Sequence, residues 1–179
     1  MTAYVLRLAG VDELDTAMAI DDAASLLFKR LGLVVDLPSE HPFVLGERAR
    51  WRGAIAQGQL WFACHGSEPV GFGALGRAGG AAYLEQLSVV PEHGRRGVGT
   101  MLLAAACAHL EHAGEHELWL TTYAHVPWNK PYYERQGFTV VAESQCNADL
   151  RAHLDEQRAT LPDPAQRVAM MRELGRSLA

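Results

Sequence analysis

Val89-Val90-Pro91-Glu92-His93-Gly94-Arg95-Arg96-Gly97-Val98-Gly99-Thr100 joins a strand-like apolar run to the opening of an amphipathic helix, through a turn rich in glycine that carries two arginines. Pro91 ends the run from Ala82 to Val90. Val98, Met101, Leu102, Ala105, Ala106 and Leu110 then fall on one helical face, which predicts a helix from Gly97 to about His112. The first turn of a helix leaves backbone N–H groups without partners, and those groups, with the positive end of the helix dipole, make an anion site. Gly97 and Gly99 have no side chain to hold a phosphate away from the backbone, and Arg95 and Arg96 add charge that reaches further phosphate oxygens. These features converge on a pyrophosphate. The stretch is not a Walker loop, because no Gly-Lys-Ser/Thr follows, and not a dinucleotide fingerprint, because Gly-x-Gly-x-x-Gly is absent. Taken alone, it reads equally well as a tight strand-to-helix turn with solvated arginines.

Upstream of this turn, Ala3 to Leu8 reads as a short strand, and Val11 to Leu31 has helical spacing that stops at Gly32. From Leu33 to Gly46 the periodicity is lost and Pro38 and Pro42 enter, which predicts a loop lying over a binding site. Glu47 to Gln57 reads as a second helix, ended by Gly58. Leu60 to Cys64 and Val70 to Leu75 form a hairpin across His65-Gly66-Ser67-Glu68-Pro69, and Arg77-Ala78-Gly79-Gly80 turns into the strand Ala82 to Val90. Downstream, Glu117 to Tyr123 reads as a strand, with Leu118, Leu120 and Thr122 on one face and Trp119, Thr121 and Tyr123 on the other. A short helix from about Lys130 to Gln136, a strand from Phe138 to Ala142 and a helix from Asp149 to Gln157 follow. Gln166 to Glu173 reads as a last strand, although its sequence also suits a helix. This order is a mixed α/β (α+β) layer and excludes an all-β sandwich and a helical bundle.

The chain has 179 residues, 49% apolar and 21% charged, so one domain over residues 1–179 with a real hydrophobic core is the default. Sixteen Lys and Arg stand against 21 Asp and Glu, a net charge of −5, the wrong balance for a nucleic-acid partner held by counterion release. Cys64, Cys107 and Cys146 are odd in number and widely spaced, so neither a zinc site nor a disulfide framework is expected, and His109, His112 and His116 read as surface helix residues; no metal is expected. Met1-Thr2-Ala3-Tyr4-Val5-Leu6-Arg7 lacks the pattern of a secretion signal, and the apolar runs fall short of a membrane span of about 18 residues. A cytoplasmic protein with no membrane partner is expected.

The glycine and arginine turn, with its preceding strand Glu85-Gln86-Leu87-Ser88-Val89, resembles the acetyl-coenzyme A site of the GNAT N-acetyltransferase superfamily. Tyr133-Glu134-Arg135-Gln136-Gly137-Phe138 resembles that family's second signature, and the resemblance covers the chain from about Leu60 to Ala142. One position departs: the family's pattern starts with Gln or Arg three residues before the first glycine, and here that residue is Gly94, with Arg95 and Arg96 as substitutes. The resemblance implies a mixed, mostly antiparallel sheet of six to seven strands flanked by helices and splayed between the fourth and fifth strands. It further implies that backbone groups of Leu87, Ser88 and Val89 pair with the pantetheine arm, and that N–H groups of Arg95, Arg96, Gly97, Val98, Gly99 and Thr100 hold the pyrophosphate. Asn129 is then a residue that bonds to the coenzyme, a role that can coexist with that of a helix N-cap.

Direct acyl transfer needs a neutral amine, a polarised thioester carbonyl and a proton for the departing thiolate. By the same resemblance Tyr133 is the acid, with packing on the sheet as its other reading, and Glu85 is the base, with an ion pair as its other reading. Alternation puts Tyr83, Glu85 and Leu87 on one strand face, an arrangement a bulge would spoil. Asp21 and Asp22 interrupt an apolar helix, where they attract a cationic amine or form a solvated face. Phe28, Trp51, Trp61 and Trp128 line a pocket or belong to the core. The activity implied is transfer of the acetyl group of acetyl-coenzyme A to a primary amine of a small molecule in a ternary complex. Val126-Pro127-Trp128-Asn129 and Tyr133-Glu134-Arg135 are similar to small-molecule and antibiotic-modifying members. Acetylation of a protein N-terminus or lysine, and a non-catalytic acyl-coenzyme A sensor, are the alternatives; a homodimer stays open.

Overall fold

The computed structural model describes residues 3–175. Met1 and Thr2, which begin the stretch inspected for a secretion signal, and residues 176–179 of the expected domain lie outside the described residues. In chain order the elements are β1 (Tyr4–Leu8), α1 (Leu14–Lys29), α2 (Pro42–Ala56), β2 (Leu60–His65), β3 (Glu68–Ala78), β4 (Ala81–Val89), a 3-10 turn (Pro91–His93), α3 (Val98–His112), β5 (Glu117–Tyr123), α4 (Lys130–Arg135), β6 (Thr139–Val141), α5 (Ala148–Thr160) and β7 (Arg167–Glu173). The strands follow the order β1-β2-β3-β4-β5-β7-β6 in one seven-stranded sheet. The β1/β2, β2/β3, β5/β7 and β6/β7 pairs are antiparallel, and β4 meets β5 in parallel at Tyr83↔Trp119. The fold is the mixed, mostly antiparallel α/β architecture expected, with the parallel pair in fourth and fifth place.

The chain divides into two compact units, one holding residues up to Gly76 and Leu84–Ala106, the other Arg77–Tyr83 and the residues from Cys107 onward. In the first unit, α1 and α2 cover one side of β2 and β3. Leu14, Ala17 and Ile20 of α1 and Trp51, Ala54 and Ile55 of α2 pack with Leu60, Phe62, Cys64, Phe72 and Ala74. Burying Leu14 and Ile20 stabilises the seating of α1 by about 1.5–3 kcal/mol each, and Ile20 thereby fixes the next residue, Asp21, in place. On the opposite side Val98 and Leu102 of α3 pack on Ala63, with Leu87 and Val89 of β4 against them. In the second unit α5 lays Leu150 and Leu154 on Trp119 and Ala169. Asn147 holds the start of that helix: its Oδ1 accepts from Leu150 N–H at 2.9 Å and its Nδ2 donates to the Ala78 carbonyl at 3.1 Å.

Two departures from the sequence reading have a clear physical reason or bear on the site. Helix α2 begins at Pro42 and not at Glu47, because proline suits the first helical position, where its fixed φ is helical and its missing N–H goes unused. His41 caps it, its Nδ1 accepting from Phe43 N–H at 3.1 Å, so the loop is confined to residues 33–41. Strand β3 runs to Ala78, past the expected end at Leu75. The last strand, expected from Gln166 to Glu173, is observed as Arg167–Glu173, where β5 and β6 both pair with it, at Thr121↔Ala169 and Val141↔Ala169.

Candidate active site

The phosphate-type turn lies in the first unit. His93 is held by Tyr4, whose hydroxyl lies 2.8 Å from Nδ1, and this anchors the 3-10 turn that leads into the loop. Arg95 takes a left-handed conformation with φ 56° and Gly97 one with φ 81°. The second is ordinary for glycine; the first costs an L-residue about 1 kcal/mol or more. Gly97 closes the turn by accepting Met101 N–H at 2.9 Å, so the N–H groups of Val98, Gly99 and Thr100 precede the first intrahelical bond. Arg95 and Arg96 are both exposed. A Cβ on Gly97 would meet nothing within 4 Å, so the space beside the loop is open to a phosphate.

On β4, just before this loop, regular alternation fails. Leu87 lies beside Gly73 and Leu102, on the α3 side. Glu85 lies on the other side: its Oε2 is 3.0 Å from Nε of Arg50 in α2, and a Cβ on Gly76 would overlap its Oε1. Gln86, the next residue, also reaches that side, where its Nε2 donates to Asp21 Oδ1 of α1 at 2.6 Å. Consecutive side chains of a regular strand point to opposite faces, so a bulge-like irregularity separates Glu85 from Gln86. The expectation that Glu85 and Leu87 share a face is therefore overturned. Ser88, 5% exposed, joins the same cluster, its Oγ donating to Asp21 Oδ1 at 2.6 Å. Asp22 is exposed, as a solvated residue would be, but Asp21 is tied into β4. Burial is the largest influence on the Asp21 carboxyl and pushes it above the usual aspartate range; its two hydrogen bonds oppose this and the charge of Asp22 adds to it.

The second unit holds Tyr133 and Asn129. The Tyr133 ring meets Tyr132 and Phe138 edge-on, at centroid distances of 5.1 and 5.6 Å. Burial pushes its hydroxyl well above the ordinary phenol range, Tyr132 and Tyr83 add to the shift, and Arg167 opposes it. Such a phenol keeps its proton at neutral pH, which suits a donor and not a nucleophile. Around the same aromatic group, Tyr83 and Thr121 hydroxyls lie 2.7 Å apart and Arg167 donates to Gln157 at 2.6 Å. Asn129 occupies the N-cap position of α4, but its side chain makes no capping bond. A capping oxygen accepts from the second or third helical N–H; Pro131 at the second position has none, and the Asn129 side chain does not take the third. The N-cap reading of that side chain is corrected, and the Asn129 amide keeps its bonding capacity.

Trp51 is core, buried at a T-shaped contact with Phe72, whereas Trp128 is 37% exposed. Arg50 was not among the residues anticipated; its partner lies 35 positions away in sequence, beyond any local pattern. A groove of about 530 Å³ lined by Arg77, Ala78, Asp149, Ala152, His153 and Glu156 contains none of the anticipated residues. Among the described residues no helix is long and apolar enough to cross a membrane.

Residues 16–138 match the model of the acetyltransferase (GNAT) family. The N-acetyltransferase YafP of Escherichia coli (strain K12), itself uncharacterised, is 33% identical over 99 residues, which are 55% of this chain and 58% of that protein, so the chain spans little more than half the length of this relative. Among solved structures, the PaiA N-acetyltransferase of Thermoplasma acidophilum in complex with coenzyme A superposes with a TM-score of 0.65 at 16% identity, covering 96% of this chain and 99% of that one. N-acetylglutamate synthase of Neisseria gonorrhoeae, complexed with coenzyme A and N-acetyl-glutamate, gives a TM-score of 0.68 at 16% identity over 98% of this chain and 36% of that one. The ribosomal-protein-S18-alanine N-acetyltransferase of Escherichia coli gives 0.64 at 17% identity over 98% and 96%. At these identities the likeness is one of fold.

Proposed function

The chain belongs to the acetyltransferase (GNAT) family, and from that premise we propose that it moves the acetyl group of acetyl-coenzyme A to a primary amine of a small molecule by direct attack in a ternary complex. The observation that carries this reading is the loop before α3, where Arg95 is held at φ 56° and Gly97 at φ 81° ahead of a helix whose first N–H groups remain available. A left-handed arginine is an expense of folding that an ordinary turn avoids, and such strain concentrates at ligand sites.

In this reading the N–H groups of Arg95, Arg96, Gly97, Val98, Gly99 and Thr100 hold the pyrophosphate, and the exposed guanidinium groups of Arg95 and Arg96 take its outer oxygens. The main chain of Leu87, Ser88 and Val89 pairs with the pantetheine arm, and the uncommitted Asn129 amide bonds to the coenzyme. Tyr133 gives the departing thiolate its proton. A carboxylate on the α1 and α2 side of β4 takes the amine proton, Glu85 being the residue that the family resemblance points to. We place the reaction in a reducing cytoplasm, in keeping with three free, buried cysteines.

Free-thiol release from acetyl-coenzyme A across a panel of primary amines tests the proposal, with Tyr133→Phe as control. Turnover with at least one small amine is expected, and Tyr133→Phe is expected to lower kcat about 10²-fold or more while coenzyme A affinity holds. Turnover on peptide N-termini or lysines alone would move the acceptor class to proteins. Coenzyme binding without turnover, unaffected by Tyr133→Phe, would make the chain a sensor; neither binding nor turnover overturns the reading.

A further inference from the structure

Asp21 lies where helix α1 meets the irregular part of β4. Oδ1 accepts from Gln86 Nε2 and from Ser88 Oγ, each at 2.6 Å, and Gln86 Nε2 also lies 3.0 Å from Ser88 Oγ. Both donors are neutral and both bind the same oxygen, so neither occupies Oδ2. The residue keeps part of its surface exposed, while Ser88 beneath it is buried. A structural carboxylate in such a place is ordinarily matched by a cation, because burying a charge costs several kcal/mol unless it is paired.

No cation is among the groups that act on the Asp21 carboxyl. On α2, Arg50 pairs with Glu85 at 3.0 Å and Arg48 approaches Asp15 at 3.5 Å. The other charged or titratable groups on the elements packed here are Asp22 on the same helix, Glu47 and the exposed Arg52 on α2, Tyr83 and Glu85 on β4, and Glu92 and His93 on the 3-10 turn. Asp22 and Glu85 are anionic, and Asp22 pushes the Asp21 carboxyl further up. The bulge-like step in β4 aims Gln86 and Ser88 at this one carboxylate, so Asp21 is positioned with an oxygen to spare and a charge to match.

We propose that Asp21 seats the ammonium form of the acceptor and takes its first proton, which restricts acceptors to amines that arrive charged and carry no carboxylate beside the amine. The inference rests on the acetyl-transfer reading and puts Asp21 in place of Glu85 as the base, with Glu85, paired with Arg50, as a positioning residue. One N–H bond of the ammonium breaks, its electron pair stays on nitrogen, and Asp21 Oδ2 gains the proton. The freed amine forms the C–N bond with the thioester carbonyl carbon. The C–S bond then breaks with its electron pair on sulfur, which takes the proton of the general acid. The nitrogen's second proton passes through water to restore the general acid, and Asp21 returns its proton to solvent, so one proton is released per turnover. An acceptor carboxylate next to the amine would face Asp21 and Asp22 and be repelled.

The test is the pH profile of kcat/KM for Asp21→Asn, using the primary alkylamine turned over fastest in the amine panel, with aniline as an amine that is uncharged at neutral pH. Asn keeps an acceptor oxygen for Gln86 and Ser88, so the fold and coenzyme A affinity are expected to hold. At pH 7 the alkylamine rate should fall about 100-fold or more, with the acid limb moving up to the ionisation of the free amine, while any aniline rate changes less than threefold. Ser88→Ala, which removes one donor to Oδ1, should shift the limb upward, Asp22→Asn, which removes a charge that pushes the Asp21 carboxyl up, should shift it downward, and Glu85→Gln should leave its position unchanged. An acid limb that stays in place in Asp21→Asn, or that Glu85→Gln moves as far, overturns the assignment to Asp21 while leaving acetyl transfer intact. A wild-type protein that neither binds coenzyme A nor releases thiol removes both.

Discussion

Glu85 and Asp21 are two carboxylates reached from neighbouring positions on one side of β4, and they are treated in opposite ways. Glu85, with a side chain only 5% exposed, has a guanidinium 3.0 Å away. Asp21 has two neutral donors on one oxygen and an acidic neighbour in Asp22. Burial is common to both; what differs is the charge of the partner. A carboxylate matched by a cation is settled structure, whereas one held by neutral groups keeps a demand for positive charge that an incoming ligand can meet. Under the proposal for Asp21, the comparison separates a residue that organises the site from one that serves it.

The sharpest way to break the comparison is to remove the cation. Arg50→Ala takes from Glu85 its guanidinium and should lower the unfolding free energy by an amount near the low end of roughly 3–5 kcal/mol, because Arg50 itself is about a quarter exposed. Urea unfolding measures this. Arg50→Met with Glu85→Gln, which removes both charges, should lose much less than Arg50→Ala alone. A loss under about 0.5 kcal/mol for Arg50→Ala would class the pair with surface bridges and erase the contrast with Asp21.

Gly76→Ala probes the same pair from β3. A Cβ there would overlap Oε1 and crowd Cγ of Glu85, so the Glu85 side chain must move and strain its bond to Arg50. Overpacking of this kind costs about 1–3 kcal/mol. In a Glu85→Ala background the cost should fall close to zero, and the coupling read from the double-mutant cycle decides whether this contact is its source. Additive effects would place the strain elsewhere in β3.

Much of this frame is visible in the chain itself. β5 occupies Glu117–Tyr123 as its alternation predicts, and α3 opens at Val98 because glycine and proline bracket a strongly periodic apolar face. The phosphate-type turn is legible for the same reason: it is local, and its glycines and arginines stand next to one another. What escapes is what depends on distant partners. The Gln86 to Asp21 bond joins residues 65 positions apart, and no spacing rule announces it. The irregularity in β4 leaves the sequence looking like a plain strand, so Glu85 and Leu87 read as same-face residues. The left-handed conformation of Arg95 falls on a residue type that does not advertise it, and His41 is an uncommon cap beside a proline that resembles a loop signal. Asn129 shows the reverse case, where a favourable cap residue makes no capping bond and a proline two positions on removes one of its two donors.

The smallest expected change in stability, and the one of opposite sign, is that of Asp21→Asn. The folded-state carboxyl is pushed above the ordinary value of 3.8, so the folded protein holds this proton more tightly than the unfolded chain does. Stability tied to Asp21 is therefore fully present below that ordinary value and is lost as pH rises through the raised one. Asp21→Asn keeps the hydrogen bonds to Gln86 and Ser88 and lacks this loss. Relative to wild type, it should gain stability between strongly acidic and neutral pH, where the Arg50 and Gly76 variants only lose. Urea unfolding at a series of pH values reads the difference directly. A saturating primary alkylamine acceptor should then stabilise the wild-type protein by mass action and leave the Asn variant nearly unmoved, since the ammonium is what completes the Asp21 site. If Asp21→Asn is instead less stable at neutral pH, and the amine stabilises both proteins equally, Asp21 is a structural residue and the division between the two carboxylates collapses.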